Sequence, residues 1–226
     1  MDSISSTAAA RNLMVDGQVR PNKVYDARLL AAMRHVPRER FLPPGLAAMA
    51  YTDDDVRLPG GRFLMQPMVL ARLVHSAGVR AGERALVIGA GAGYGAALLA
   101  ACGAAVTALE DDAGLLALAR QALPEWAPGV TLAEGPLTAG WAAGAPYDIV
   151  LIEGAFAAVP PALVTQLAPQ GGRLLGVRSG SGRVSQAVIG EVVRRGGRAD
   201  ELALQPIFDC ATPALPGFAA APAFVF

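Results

Sequence analysis

Lysine is almost missing from this 226-residue chain: Lys23 stands alone, and arginine carries the rest of the positive charge. Lysine and arginine together number 19 and are balanced by 19 acidic residues, so the formal net charge is zero. No basic run is available to follow a nucleic-acid backbone, and no acidic tail appears. The arginine bias accompanies an abundance of alanine and glycine, and reads as composition rather than function. Cysteine is as scarce. Cys102 and Cys210 give no disulfide framework, and Cys102 lies in an apolar helical stretch, as a reduced core residue would. The two histidines, His35 and His75, are far apart and lack a ligand-pattern partner, which argues against a zinc site. No G-x-S-x-G run is present, which argues against a nucleophile-elbow hydrolase. Hydrophobic residues make up 53% of the chain. That suffices for a sizeable core, yet no apolar run is long enough to cross a membrane. The N-terminus shows no basic-plus-apolar signal pattern, so a cytoplasmic protein is expected. The acidic triplet Asp53-Asp54-Asp55 has no neighbouring histidine or further acid cluster. It reads as a solvated turn, and no metal is expected.

What the chain does have is the run Ala85-Leu86-Val87-Ile88-Gly89-Ala90-Gly91-Ala92-Gly93-Tyr94-Gly95, followed by Ala96-Ala97-Leu98-Leu99-Ala100. An apolar stretch, a glycine-rich turn and a helical run predict strand, loop and helix. Glycine lets a ligand lie against bare main chain, and the helix start offers free N–H groups. A second strand is expected from Ala104 to Leu109 and ends in Glu110, about twenty residues beyond the first glycines. A carboxylate there can accept both hydroxyl hydrogens of a ribose. The pattern points to a nucleoside-containing cofactor at the carboxyl edge of a parallel sheet. A dinucleotide dehydrogenase fits less well, because the third glycine, Gly93, falls one residue early for that fingerprint.

The rest of the chain supports an α/β domain with additions. Helical spacing runs over residues 7–20, and Asp26 to His35 reads as an amphipathic helix with Asp26 as N-cap. A helix is predicted over Pro67 to Gly78. Beyond the loop come a helix over Leu115 to Leu123 and strands over Val130 to Ala133 and Tyr147 to Ile152. A helix from Pro160 to Leu167 and a strand from Arg173 to Val177 follow. Alternation at this pitch predicts a doubly wound, mostly parallel sheet. Ser179-Gly180-Ser181-Gly182 reads as a turn. The runs Val184 to Val193 and Leu202 to Phe208 are expected to add antiparallel edge strands. The tail from Pro213 to Phe226 is irregular and apolar, and should pack on the body.

Several short elements resemble the protein-L-isoaspartate O-methyltransferases, a Rossmann-like family that uses S-adenosylmethionine. They are Ala32-Met33, Val36-Pro37-Arg38-Glu39-Arg40-Phe41, Ala50-Tyr51-Thr52-Asp53, Gln66-Pro67, the glycine loop with Tyr94, Glu110, Pro146-Tyr147-Asp148, Gln166-Leu167-Ala168-Pro169 and Gly171-Gly172-Arg173. The resemblance runs from about Met14 to Val177. It implies methylation of an isoaspartyl carboxylate in a damaged protein or peptide. It divides the chain into an N-terminal helical, substrate-side region (1–78) and a Rossmann-like methyltransferase domain with the C-terminal tail (79–226). It places the cofactor against Gly89, Ala90, Gly91, Gly93, Tyr94, Glu110, Asp111, Gly135, Pro136 and Glu153. It places the substrate against Tyr51, Met65, Gln66 and Pro67.

Three positions depart from the family pattern. Val87 stands where the family has an acid before the glycine loop. Met65 stands where a serine or threonine usually faces the substrate carboxylate, and a methionine donates no hydrogen bond. Pro136 stands where an aspartate lies near the adenine, and it offers neither acid nor N–H. Loss of one hydrogen bond to a charged group costs about 1.5–3 kcal/mol. Glu134 and Glu153 are the nearby acids that would compensate. Two alternatives therefore stand beside isoaspartyl methylation: an O-methyltransferase with a different acceptor, and a non-catalytic scaffold that has lost cofactor binding. Oligomeric state is not legible.

Overall fold

The computed structural model describes residues 2–180, 184–193 and 201–219, with the side chains of 2–5 set aside. Part of the expected 179–182 turn, and the tail beyond residue 219, lie outside the described residues.

A seven-stranded sheet forms the centre. Its strands are β3 (Arg84–Ile88), β4 (Ala105–Glu110), β5 (Thr131–Glu134), β6 (Ile149–Phe156), β7 (Arg173–Arg178), β8 (Gln186–Val193) and β9 (Glu201–Asp209), in the spatial order β5-β4-β3-β6-β7-β8-β9. The first five in that order run parallel, and β8 and β9 add an antiparallel edge. The order reverses between β3 and β6, the place where open α/β sheets leave a crevice at the strands' carboxyl ends. β6 is buried at every position, as a central strand covered on both faces must be. This is the doubly wound, mostly parallel sheet with an antiparallel edge that the alternation predicts.

Helices α3 (Pro67–Ala77), α4 (Tyr94–Ala101), α5 (Ala113–Trp126) and α6 (Pro161–Thr165) accompany the sheet. Before them come α1 (Asp2–Met14), a π-helical turn over Val15–Val19, and α2 (Ala27–His35). Asp26 caps α2, accepting from the N–H groups of Arg28 and Leu29. Pro67 opens α3 and Gly78 closes it in the left-handed region, the arrangement expected at the two ends of a helix. The N-terminal helices share one apolar core with α3, α4 and one sheet face, from Met14 through Leu98 to Val177. The opposite face buries Leu86, Ile88, Leu109, Val150 and Leu174, together with Leu215 and Phe218 of the tail. Two short antiparallel strands, β1 (Val56–Arg57) and β2 (Phe63–Leu64), bracket a tight loop in front of α3.

Two elements differ from their sequence outline. The helix expected to reach Leu167 ends at Thr165, because Leu167 bridges to Tyr147 and the Gln166 amide is drawn to the Ala139 carbonyl. β6 runs four residues further than Ile152. Its extension holds because Ala155 pairs with Ala214 of the tail. Glu153 therefore lies inside β6 rather than beyond its end, and is 4% exposed.

No helix among the described residues is long and apolar enough to cross a membrane.

Candidate functional site

The glycine loop sits between β3 and α4, at the carboxyl edge of the sheet beside the point where strand order reverses. Gly89 has φ +68°, a backbone that glycine adopts without a steric penalty. The N–H groups of Gly89 and Ala90 donate to the Leu109 carbonyl, which ties the loop to β4. Tyr94 opens α4 and is buried, and burial pushes its phenol up to about 12.

Glu110 ends β4 as expected, and is fully buried. Its Oε2 accepts from the Gly91 N–H at 2.9 Å. Its Oε1 accepts from the Asp111 N–H at 2.9 Å, the Asp112 N–H at 3.0 Å and Arg62 Nε at 3.0 Å. Four donors on one buried carboxylate satisfy it well. The same guanidinium pairs with the half-exposed Asp111. Arg62 is held in turn by the β1–β2 loop, where the Leu58 N–H donates to the Arg62 carbonyl.

The tail lies over the loop. The Ala155 N–H donates to the Pro213 carbonyl at 2.8 Å, and the Leu215 N–H donates to the Ala155 carbonyl at 2.9 Å. The Ala157 N–H donates to the Phe218 carbonyl at 2.8 Å. Leu215 rests directly on two glycines. A Cβ on Gly89 would lie 2.7 Å from Leu215 Cδ1, and a Cβ on Gly154 would lie 2.9 Å from Leu215 Cβ. Gly154 has φ +147°, which makes it a position for glycine on conformational grounds too. Pro216 approaches Gly61, Gly217 approaches Thr138, and Phe218 is buried in the apolar cluster that holds Leu109, Ala133 and Leu137.

On the other side of α4, Arg38 is fully buried with its guanidinium over the Tyr94 ring, 5.1 Å from the centroid. Its Nε donates to the Ala50 carbonyl at 2.7 Å, and Nη2 donates to the Met65 carbonyl. Arg38 thereby fixes the segment that carries Tyr51 and Met65. Tyr51 donates to Glu39, and burial raises its phenol above the ordinary range. Met65 is fully buried, and Gln66 precedes Pro67 at the head of α3. The acidic triplet has a structural use here: Asp55 accepts from the Gln66 N–H, and Asp53 accepts from the Gln66 amide. Glu153 is the most perturbed acid. Burial lifts its carboxyl to about 8, and the Arg38 guanidinium acts against that rise. Its Oε1 has no hydrogen-bond partner.

The predicted residues thus fall at one sheet edge. The glycines, Glu110, Asp111, Gly135 and Pro136 lie at the ends of β3, β4 and β5, and Tyr51, Met65, Gln66 and Pro67 lie on the segment leading into α3. Val87 is packed in the core. Sequence reasoning did not single out Arg62, Leu58 or Leu215 as parts of the site. Arg38 was visible within Val36 to Phe41, although not as the clamp on Met65.

A seven-stranded sheet with this order, a glycine loop after β3 and an acid at the tip of β4 define the Rossmann-like, S-adenosylmethionine-dependent methyltransferases. Within that class the match is narrower. The family model for protein-L-isoaspartate(D-aspartate) O-methyltransferase covers residues 9–197. A protein-L-isoaspartate O-methyltransferase from Methylorubrum populi is 43% identical over 169 residues, 75% of this chain and 79% of the relative. One from Rhodopseudomonas palustris is 40% identical over 175 residues, covering 77% and 71%. The chain belongs to the protein-L-isoaspartate(D-aspartate) O-methyltransferase family. The fold agrees with a solved enzyme of that name at TM-score 0.73 and 21% identity, over 92% of this chain and 66% of that one. It also agrees with a Plasmodium falciparum protein described as such an enzyme and solved with S-adenosyl-L-homocysteine. There the TM-score is 0.71 and the identity 18%, over 91% and 97% of the two chains.

S-Adenosylmethionine is the cofactor of this family. The glycine loop and Glu110 stand at the sheet edge as the sequence predicts, whereas Pro136 and Val87 replace acids of the family pattern, and in this conformation the cleft does not fit the cofactor. Leu215 covers Gly89 and Gly154, and Arg62 and three backbone N–H groups occupy the Glu110 carboxylate.

Proposed function

We propose that the protein is an S-adenosylmethionine-dependent carboxyl O-methyltransferase that acts on isoaspartyl residues of damaged proteins or peptides. The observation that carries this reading is the family match over residues 9–197, which takes in both the glycine loop and the segment around Arg38 and Met65. The cofactor supplies a methyl group on a sulfonium when it is bound. A substrate carboxylate is ionised near neutral pH, so no general base is needed. The chain's task is to orient the acceptor and exclude water. In this reading residues 1–78 form the acceptor side, with Arg38 as a positioning residue that fixes Tyr51 and Met65. The cofactor side is Gly89, Ala90, Gly91, Gly93, Tyr94, Glu110, Asp111, Gly135, Pro136 and Glu153.

A second reading keeps the cofactor and changes the acceptor. Met65 favours it, because a buried thioether replaces the hydroxyl that would meet a carboxylate. Transfer of labelled methyl from S-adenosylmethionine to an isoaspartyl peptide, measured as base-labile ester, tests the first reading. Met65→Ser separates the two. A gain in isoaspartyl ester supports the repair substrate, whereas cofactor binding without ester formation in either protein supports another acceptor.

A further inference from the structure

We propose that the segment Thr212–Phe218 is an intramolecular plug of the cofactor cleft, and that cofactor enters only when the plug withdraws. The inference rests on the cofactor reading above. Three kinds of contact make the segment a specific occupant. Main-chain hydrogen bonds join it to Ala155 and Ala157 at the carboxyl end of β6. Leu215 and Phe218 are each 2% exposed and belong to the apolar cluster on that sheet face, so two buried side chains anchor the segment. Leu215 also meets the main chain of Gly89 and Gly154 so closely that neither position has space for a methyl group. A ligand lying on the glycine loop needs the same surface.

The opposite wall is closed by the same logic. Arg62 bonds to both Glu110 and Asp111, so Oε1 of the carboxylate expected to receive a ribose is already filled by Arg62 and two backbone N–H groups, and Oε2 is engaged by the Gly91 N–H. Gly61 of that loop lies against Pro216 of the tail, so the two closures touch. A ligand that binds only the open form has its apparent affinity reduced by the open fraction. Removing a plug contact therefore tightens cofactor binding without altering any group that touches the cofactor.

The test is calorimetric titration of the full chain and of Leu215→Ala and Leu215→Asp with S-adenosylmethionine and S-adenosylhomocysteine. Hydrogen exchange is followed at residues 153–157. The expected result is weak binding by the parent and at least tenfold tighter binding by the variants, with faster exchange at Ala155 and Ala157 while β3 and β4 stay protected. Equal affinity in all three proteins overturns the plug and leaves the cofactor reading standing. Weaker binding by Leu215→Ala overturns it as well, since the tail would then be a wall of the bound site. Absence of binding in every folded variant refutes the cofactor reading itself, and the plug with it.

Discussion

Glu153→Gln tests whether an ionisable group has been placed where ionisation is opposed. The carboxyl sits inside β6, 4% exposed, with Oε1 unpartnered and a Cβ on Gly95 falling 1.9 Å from it. Burial raises its pKa from 4.5 to about 8. The folded state therefore holds this proton more tightly than the unfolded chain does, and stability falls as pH rises from about 4.5 to about 8. A gap of this size corresponds to at most about 5 kcal/mol, since one unit is about 1.4 kcal/mol. Between pH 5 and pH 7 the share is about 2–3 kcal/mol. Glutamine keeps the shape and cannot ionise. Urea unfolding at pH 5, 6, 7 and 8 should show the parent losing stability relative to Glu153→Gln by that amount from pH 5 to pH 7, with the gap widening little beyond pH 8. Parallel stability curves for the two proteins would refute the placement of a neutral acid in β6.

Other perturbations read other contacts. Arg62→Ala leaves Glu110 with its three backbone donors but removes its cationic partner. Breaking a buried pair of this kind costs about 3–5 kcal/mol, and urea unfolding at pH 7 measures it against a near-zero cost if the pair is unimportant. Gly89→Ala combines a strained φ of +68° with a methyl group 2.7 Å from Leu215. It should lower Tm and accelerate exchange at Ala155, and an unchanged Tm would contradict the close packing. Gly91→Val, with φ +57°, should abolish cofactor binding in calorimetry, and unchanged affinity would remove the glycine loop from the site. Asp26→Ala deletes the α2 cap and should cost about 1 kcal/mol in thermal or urea unfolding.

The fold was legible where local pattern and tertiary demand agree. Short apolar runs alternating with helical ones located β3 to β7, two further strand-like runs located β8 and β9, and proline and glycine marked both ends of α3. Glu110 and the glycines were legible as a site because their spacing is set by strand and loop length. Occupancy of that site was not. Nothing local in Leu215-Pro216-Gly217-Phe218 says that the segment returns to the centre of the sheet after β9 at the far edge. That return depends on a long-range fit to Gly89 and Gly154. Arg62 was equally silent, because an arginine after two glycines reads as surface until the loop folds over β4. Glu153 was found by position, but its burial was not legible, since it depends on the long-range packing of β6 against Gly95 of α4 and on the nearby Arg38.

The order in which the chain is synthesised gives the tail a further consequence. Gly89, Glu110 and Gly154 all precede Leu215, so the crevice exists as chain before the residue that fills it. At ~5–20 residues per second, Leu215 is added about 3–12 s after Gly154. Strands β3 to β7 therefore leave the ribosome ahead of their cover. The cover is thus the last part of the crevice to be made, after every glycine and acid against which it or its neighbouring loop packs.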